Sequence, residues 1–134
     1  MQVAKWMTQQ PLRIKSDSSV TAALALLAMG DVRHLPVVDD EDHVIGMLSE
    51  RDVIGLLAPA VANLAEEFEK ATKLQVADFM NAGAVVLEPE DDLQDAARLF
   101  LEHKFGAFPV VKDKKLVGIL SYLDVLKAFV NASA

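Results

Sequence analysis

Two four-residue segments carry the residue types needed to hold a ribose phosphate. They are Ser49–Glu50–Arg51–Asp52 and Ser121–Tyr122–Leu123–Asp124, each placed where an apolar strand pattern gives way to a helical one. At such a junction the serine hydroxyl and the unpaired backbone N–H groups of the first helical turn present donors to a phosphate. The aspartate three residues on lies on the same turn, and its carboxylate can accept from two hydroxyls of a ribose. The same spacing also fits a helix cap, with Ser at the N-cap and an acidic residue reaching back to it. On the residues alone both readings stay open. Other chemistry is poorly supplied. The chain has no cysteine, which excludes disulfides, thiolate metal sites and a cysteine nucleophile. His34, His43 and His103 are scattered, without partners at metal-ligand spacing, and the acidic run Asp39–Asp42 lacks the spacing of a calcium loop. Neither serine sits in a G-x-S-x-G elbow, and there is no G-x-x-x-x-G-K-[ST] phosphate loop, which argues against a hydrolase.

A duplication positions the two segments. "VAKWM" at Val3–Met7 returns as "VADFM" at Val76–Met80, and "HLPVVD" at His34–Asp39 returns as "AFPVVK" at Ala107–Lys112, both at an offset of 73. "VIGMLSERDVI" at Val44–Ile54 returns as "LVGILSYLDVL" at Leu116–Leu126 at an offset of 72, so one residue is lost from the turn between the last two blocks. Each unit reads as a short extended piece (Leu12–Ile14; Val85–Leu87), an apolar helix (Val20–Met29; Leu93–His103), two short strands joined by a polar turn, and a final helix from Ser49 or Ser121. The expected unit is β-α-β-β-α, an α/β (α+β) arrangement. Residues 1–57 form the first repeat, 58–75 a linking helix and 76–134 the second repeat.

The 134 residues are 52% hydrophobic with a net charge of -7. Such a balance leaves no basic footprint for nucleic acid and repels an anionic membrane surface. No run approaches the roughly 18 apolar residues of a membrane span, and the first residues lack the apolar core of a secretory signal, so the expected location is cytoplasmic. A three-stranded unit buries little surface alone. The two units are therefore expected to pack sheet to sheet about a pseudo-twofold axis. Helix Val20–Met29 is apolar nearly all round, which implies burial on more than one side and a second copy of the chain as the other cover. Trp6, Met7, Phe79 and Met80 recur at matched positions and read as core or inter-subunit packing before cleft lining.

The doubled P-V-V and G-h-h-S-x-x-D-h pattern (h apolar) resembles a cystathionine-β-synthase (CBS) domain pair, the Bateman module, over roughly Val3–Leu57 and Val76–Val130. The resemblance implies a stand-alone, non-enzymatic module regulated by adenosine-containing ligands such as AMP, ADP or ATP, and frequent pairing into a flat homodimer. It also implies two clefts, each taking its Asp motif from one repeat and its base pocket from the other. One cleft would use Ser121, Tyr122 and Asp124 with Gln10, Leu12, Val32, Arg33 and His34. The other would use Ser49, Arg51 and Asp52 with Gly83, Val85, Phe105, Gly106 and Ala107. Arg33 and His34 stand where some members place phosphate-binding cations, while their counterparts Gly106 and Ala107 supply no charge; Arg51 would serve the second cleft. Against this, Arg33 and Arg51 can be solvated surface residues. S-adenosylmethionine is an alternative ligand, and a constitutive scaffold that has lost its ligand is an alternative function. The regulated protein partner is not named by the sequence.

Overall fold

The computed structural model describes residues 1–30, 32–57, 69, 72–132, the last three of 32–57 by backbone only. Most of the expected linking helix falls outside the described residues. In chain order the elements are α1 (Val3–Trp6), β1 (Thr8–Gln9), β2 (Ile14–Lys15), α2 (Val20–Gly30), β3 (His34–Val38), β4 (Val44–Ser49), α3 (Glu50–Leu57), a 3-10 turn (Val76–Asp78), β5 (Asn81–Ala82), α4 (Leu93–His103), β6 (Ala107–Lys112), β7 (Lys115–Ser121) and α5 (Tyr122–Ala132).

The expected hairpins are present, and their turns show where the lost residue went. In the first, Asp39 Oδ1 accepts from the backbone N–H groups of Glu41 and His43, both at 2.9 Å, closing an Asx-type turn. In the second, Lys112 pairs with Lys115, and Asp113 and Lys114 both take positive φ (52° and 70°). This is the two-residue loop that matches the natural twist of paired strands. The helix starts follow their capping chemistry. Ser19 Oγ accepts from Ala22 N–H at the start of α2, and Asp92 accepts from Gln94 N–H at the start of α4.

Both sheets mix the repeats. One runs β2-β3-β4-β5 and the other β1-β7-β6. Thr8–Gln9 at the head of the first repeat pairs with Ile119 and Gly118 of the second; Asn81–Ala82 at the head of the second pairs with Met47 and Gly46 of the first. The exchange recurs at matched positions, as two related units about a pseudo-twofold axis require. The cores follow it. One buried cluster joins Ile14, Val20, Leu27, Leu35 and Leu48 to Val76, with Phe79 and Met80 packed against it. The other joins Leu87, Leu93, Phe108, Val110 and Leu120 to Val3, with Trp6 and Met7 against it. The recurrent aromatic and methionine residues thus pack in the cores, each on the sheet of the opposite repeat.

Gly46 and Gly118 make the exchange possible. A Cβ at Gly46 would stand 2.9 Å from Asn81 O and from Met80 Sδ, and one at Gly118 would stand 2.5 Å from Met7 Sδ and 3.0 Å from Thr8 O. The crossing segments lie too close for any side chain there. The repeats also meet at their hairpins. His43 bridges Lys115, Leu116 N–H donates to Asp42 O, and Arg13, whose Nη1 holds Asp42 of its own repeat at 2.8 and 2.6 Å, also donates to Leu116 O at 3.5 Å.

Helix α2 buries Val20, Ala23 and Leu27, while Ala22, Ala25, Ala28 and Met29 remain exposed within the single chain. Among the described residues, burial on this apolar helix is confined to one side.

Candidate functional site

Strand β4 ends at Ser49 and α3 starts at Glu50; β7 ends at Ser121 and α5 starts at Tyr122. Both junctions form closed capping boxes. Ser49 N–H donates to Asp52 Oδ2 and Asp52 N–H donates to Ser49 Oγ, each at 3.1 Å. Ser121 N–H donates to Asp124 Oδ2 at 2.8 Å, the Ser121 hydroxyl donates to the same oxygen at 3.0 Å, and Asp124 N–H donates to Ser121 Oγ. Capping and ligand binding are compatible here. Each aspartate spends Oδ2 on the cap, and Oδ1 has no partner among the described residues, so it can still accept from a sugar hydroxyl.

A cavity of about 1030 Å³ opens beside the first junction. The first repeat supplies Ser49, Glu50, Arg51 and Asp52 to its wall, and the second supplies Gly83, Val85, Phe105, Gly106 and Ala107. Asn81, Ala82 and Ala84 line it as well, held there by the pairing of β5 on β4. Its size and mixed lining suit a small-molecule site. Phe105 packs edge-on to Phe108 and stacked with His103, so one end of the cavity is aromatic.

Arg33, His34 and Tyr122 line this same cavity. The resemblance sets all three in the other cleft with Ser121 and Asp124; this cavity joins residues of both expected clefts. Antiparallel pairing is the reason. His34 stands opposite Ser49 across the hairpin, and Glu50 N–H donates to Arg33 O at 2.8 Å. Ala107 likewise stands opposite Ser121, and Tyr122 N–H donates to Gly106 O. The residues before each P-V-V strand are thus tied to the motif of their own repeat, and they meet the other repeat's equivalents across the axis: a Cβ at Gly106 would lie 2.7 Å from the His34 ring.

Gln10, Leu12, Val32, Ser121 and Asp124 do not line this cavity. Gln10 holds a positive φ of 48°, donates its N–H to Val117 O and accepts from Arg13 Nη2. Leu12 and Val32 both pack against Gly30, where a Cβ would run into the Leu12 side chain.

The cavity is richer in cations than its chain. Arg33, Arg51 and Lys104 stand against Glu50 and Asp52. Burial pushes the His34 imidazole below its ordinary value, opposed by Asp52, reinforced by Arg33 and opposed by Glu50, so it is neutral at neutral pH. Lys104 and Asn81 were not singled out from the sequence. Asn81 was signalled by the repeat, since it is the counterpart of Thr8. Lys104 has no counterpart signal, because its position depends on how α4 ends.

Two exchanged β-α-β-β-α units, with a cleft built on a strand-to-helix Ser/Asp junction, define the CBS-pair architecture. The CBS domain family matches residues 3–59 and 76–131, and the chain belongs to that family. It is 36% identical over 135 residues to the chloroplastic CBS domain-containing protein CBSX2 of Arabidopsis thaliana, covering 86% of this chain and 57% of that protein. It is 34% identical over 130 residues to the uncharacterized protein MJ1404 of Methanocaldococcus jannaschii, covering 93% of this chain and 31% of that one. The chain thus spans between about a third and somewhat over half of these relatives. The crystal structure of Arabidopsis CBSX2 superposes with a TM-score of 0.86 at 36% identity, covering 98% of this chain and 96% of that one. A crystal structure of CBSX2 in complex with AMP superposes with a TM-score of 0.82 at 35% identity, covering 99% and 98%. Among the described residues, no helix is long and apolar enough to cross a membrane.

Proposed function

We propose that this chain is a non-enzymatic regulatory module that binds an adenosine nucleotide (AMP, ADP or ATP) in the Ser49–Asp52 cavity. The observation that carries the reading is the capping box of Ser49 and Asp52 opening on a cavity shared by both repeats. The start of α3 and Arg51 face the phosphate, Asp52 Oδ1 takes the ribose, and the base lies toward Val85 and Phe105. The relative crystallised with AMP supports the same ligand class. Because the cavity walls come from both repeats, occupancy favours one arrangement of them, and a protein partner can read that bias. Exposed Met29, Leu123, Leu126 and Val130 support a homodimer with α2 and α5 at its interface. They also support the alternative of a constitutive scaffold.

The test is calorimetry with AMP, ADP, ATP and S-adenosylmethionine on the wild-type chain and on Asp52→Asn. Asparagine retains an acceptor for the cap but loses the charge that holds two hydroxyls. We expect AMP binding to weaken by about tenfold or more, the range of a hydrogen bond to a charged group. Saturable binding that ignores this substitution overturns the assignment, and flat traces for all four ligands favour the scaffold.

A further inference from the structure

We infer that this chain binds one nucleotide, not two, because its own segment Gln10–Arg13 fills the place that the duplication makes equivalent to the cavity; the inference rests on the nucleotide reading above. The second repeat gives the cavity residues 81–85 and 104–107. At the offset of 73 their matches are residues 8–12 and 31–34, and among the described ones only Arg33 and His34 reach the cavity. The segment nonetheless lies in the equivalent position. Thr8 and Gln9 pair with β7, which ends at Ser121, as Asn81 and Ala82 pair with β4, which ends at Ser49.

Three differences between the matched residues close the second place. The first is at the left-handed turn. Gly83 holds φ 69°, and among the described residues a Cβ there would meet nothing within 4 Å, so the space above it is open cavity. Its match Gln10 keeps the left-handed backbone, φ 48°, but carries a side chain whose Oε1 accepts from Arg13 Nη2 at 3.4 Å. The second is Arg13 itself. Its Nε donates to Pro11 O at 3.3 Å, and its Nη1 donates to the Asp42 carboxylate and to Leu116 O of the second repeat. One guanidinium thus clasps the whole segment against both hairpins. Its match Val86 is apolar and 43% exposed, and cannot form such a clasp. The third is Leu12, the match of Val85. It lies on the bare backbone of Gly30, where a Cβ would run into Leu12 Cδ1 and stand 3.5 Å from Val32 Cγ2. In the second repeat the position of Gly30 belongs to His103, stacked with Phe105, and Val85 faces the open cavity. A second ligand would have to displace a leucine and undo the arginine clasp. Its apparent affinity falls by the fraction of time that the space stands open.

The experiment counts AMP molecules bound per chain, by equilibrium dialysis with labelled AMP, for the wild type and two variants that copy the second repeat. Gln10→Gly with Leu12→Val empties the space and keeps the Arg13–Asp42 pair. It relieves a positive φ and trims an exposed leucine, so its thermal midpoint should stay near that of the wild type. The triple variant adds Arg13→Val. The wild type should bind one AMP. Both variants should bind a second, and the triple variant should hold it about two- to fivefold more tightly than the double, the range of an ion pair of this exposure. Asp124→Asn added to either should weaken that second AMP about tenfold or more. Two AMP molecules on the wild type, one on both variants, or a second site indifferent to Asp124→Asn overturns the proposal. A wild type that binds no AMP overturns the underlying function instead, and the two failures are distinct.

Discussion

Gly46→Ala and Gly118→Ala test the exchanged strands and their link to the cavity with one pair of substitutions. At Gly46 the new methyl meets Asn81 O and Met80 Sδ at 2.9 Å, and at Gly118 it meets Met7 Sδ at 2.5 Å and Thr8 O at 3.0 Å. The methionine ends can turn aside. The carbonyl oxygens belong to paired strands and cannot, so each crossing strand must back away by a few tenths of an ångström. Overpacking of this kind costs about 1–3 kcal/mol. For a chain of this size that lowers the thermal midpoint by roughly 3–15 °C. The two variants part company at the ligand. β5 supplies Asn81 and Ala82 to the cavity wall and leads directly to Gly83, whereas β1 supplies nothing to it. Gly46→Ala should therefore weaken AMP binding several-fold while Gly118→Ala leaves it unaltered, although both lose stability. Adding Met80→Ala to Gly46→Ala should recover part of the stability and little of the affinity. Circular dichroism melts and calorimetry on the four proteins read all of this. An unchanged midpoint in Gly46→Ala refutes the close packing of the exchange, and equal affinity losses in both glycine variants refute the claim that β5 alone positions the wall.

His34 gives a pH prediction. Its folded-state value lies below the ordinary 6.5 because burial disfavours the cation, so its contribution to stability is present above pH 6.5 and is lost as pH falls from there through the lowered value. Urea unfolding between about pH 5 and 7.5 should show this slope, and His34→Gln should flatten it; an identical slope in the variant removes His34 as its source. Within the first repeat, Arg13→Ala, Asp42→Ala and the double variant should give a coupling of about 0.5–1 kcal/mol, because the Asp42 side chain is 39% exposed and solvent screens the pair. Strict additivity in urea denaturation would show that the pair contributes nothing to stability.

The organisation was legible because the duplication is legible. The recurrence of "PVV" and of the Ser/Asp segment fixes strands, hairpins and helix starts twice over, and a period-2 or capping signal seen in two copies is hard to misread. The strand exchange was not legible. β1 and β5 have two residues each, too short to show any alternation, and their partners lie far away along the chain. Gly46 and Gly118 carried the trace of it, since a glycine inside a strand marks a close backbone approach. The cavity's contributions from Ser49, Asp52 and residues 105–107 followed from the repeat and the resemblance. The position of Arg33 and His34 did not, because it depends on the register of β3 against β4 and on how the repeats meet at the axis. Lys104 escaped for a local reason: nothing in the sequence says that α4 ends on a left-handed lysine.

The exchange also dictates when this chain can become protein during synthesis. Val3, Trp6 and Thr8 are made long before Ile119, whose strand completes their sheet and is the last of the described strands. At roughly 5–20 residues per second, that segment waits on the order of ten seconds for its partner. The first repeat waits as well, because its core lacks Val76 and its sheet lacks Asn81 until the second repeat has begun. Neither unit can finish folding alone and serve as a template for the other. The two cores close together late, and each repeat carries into that moment an apolar lead segment that the other must cover.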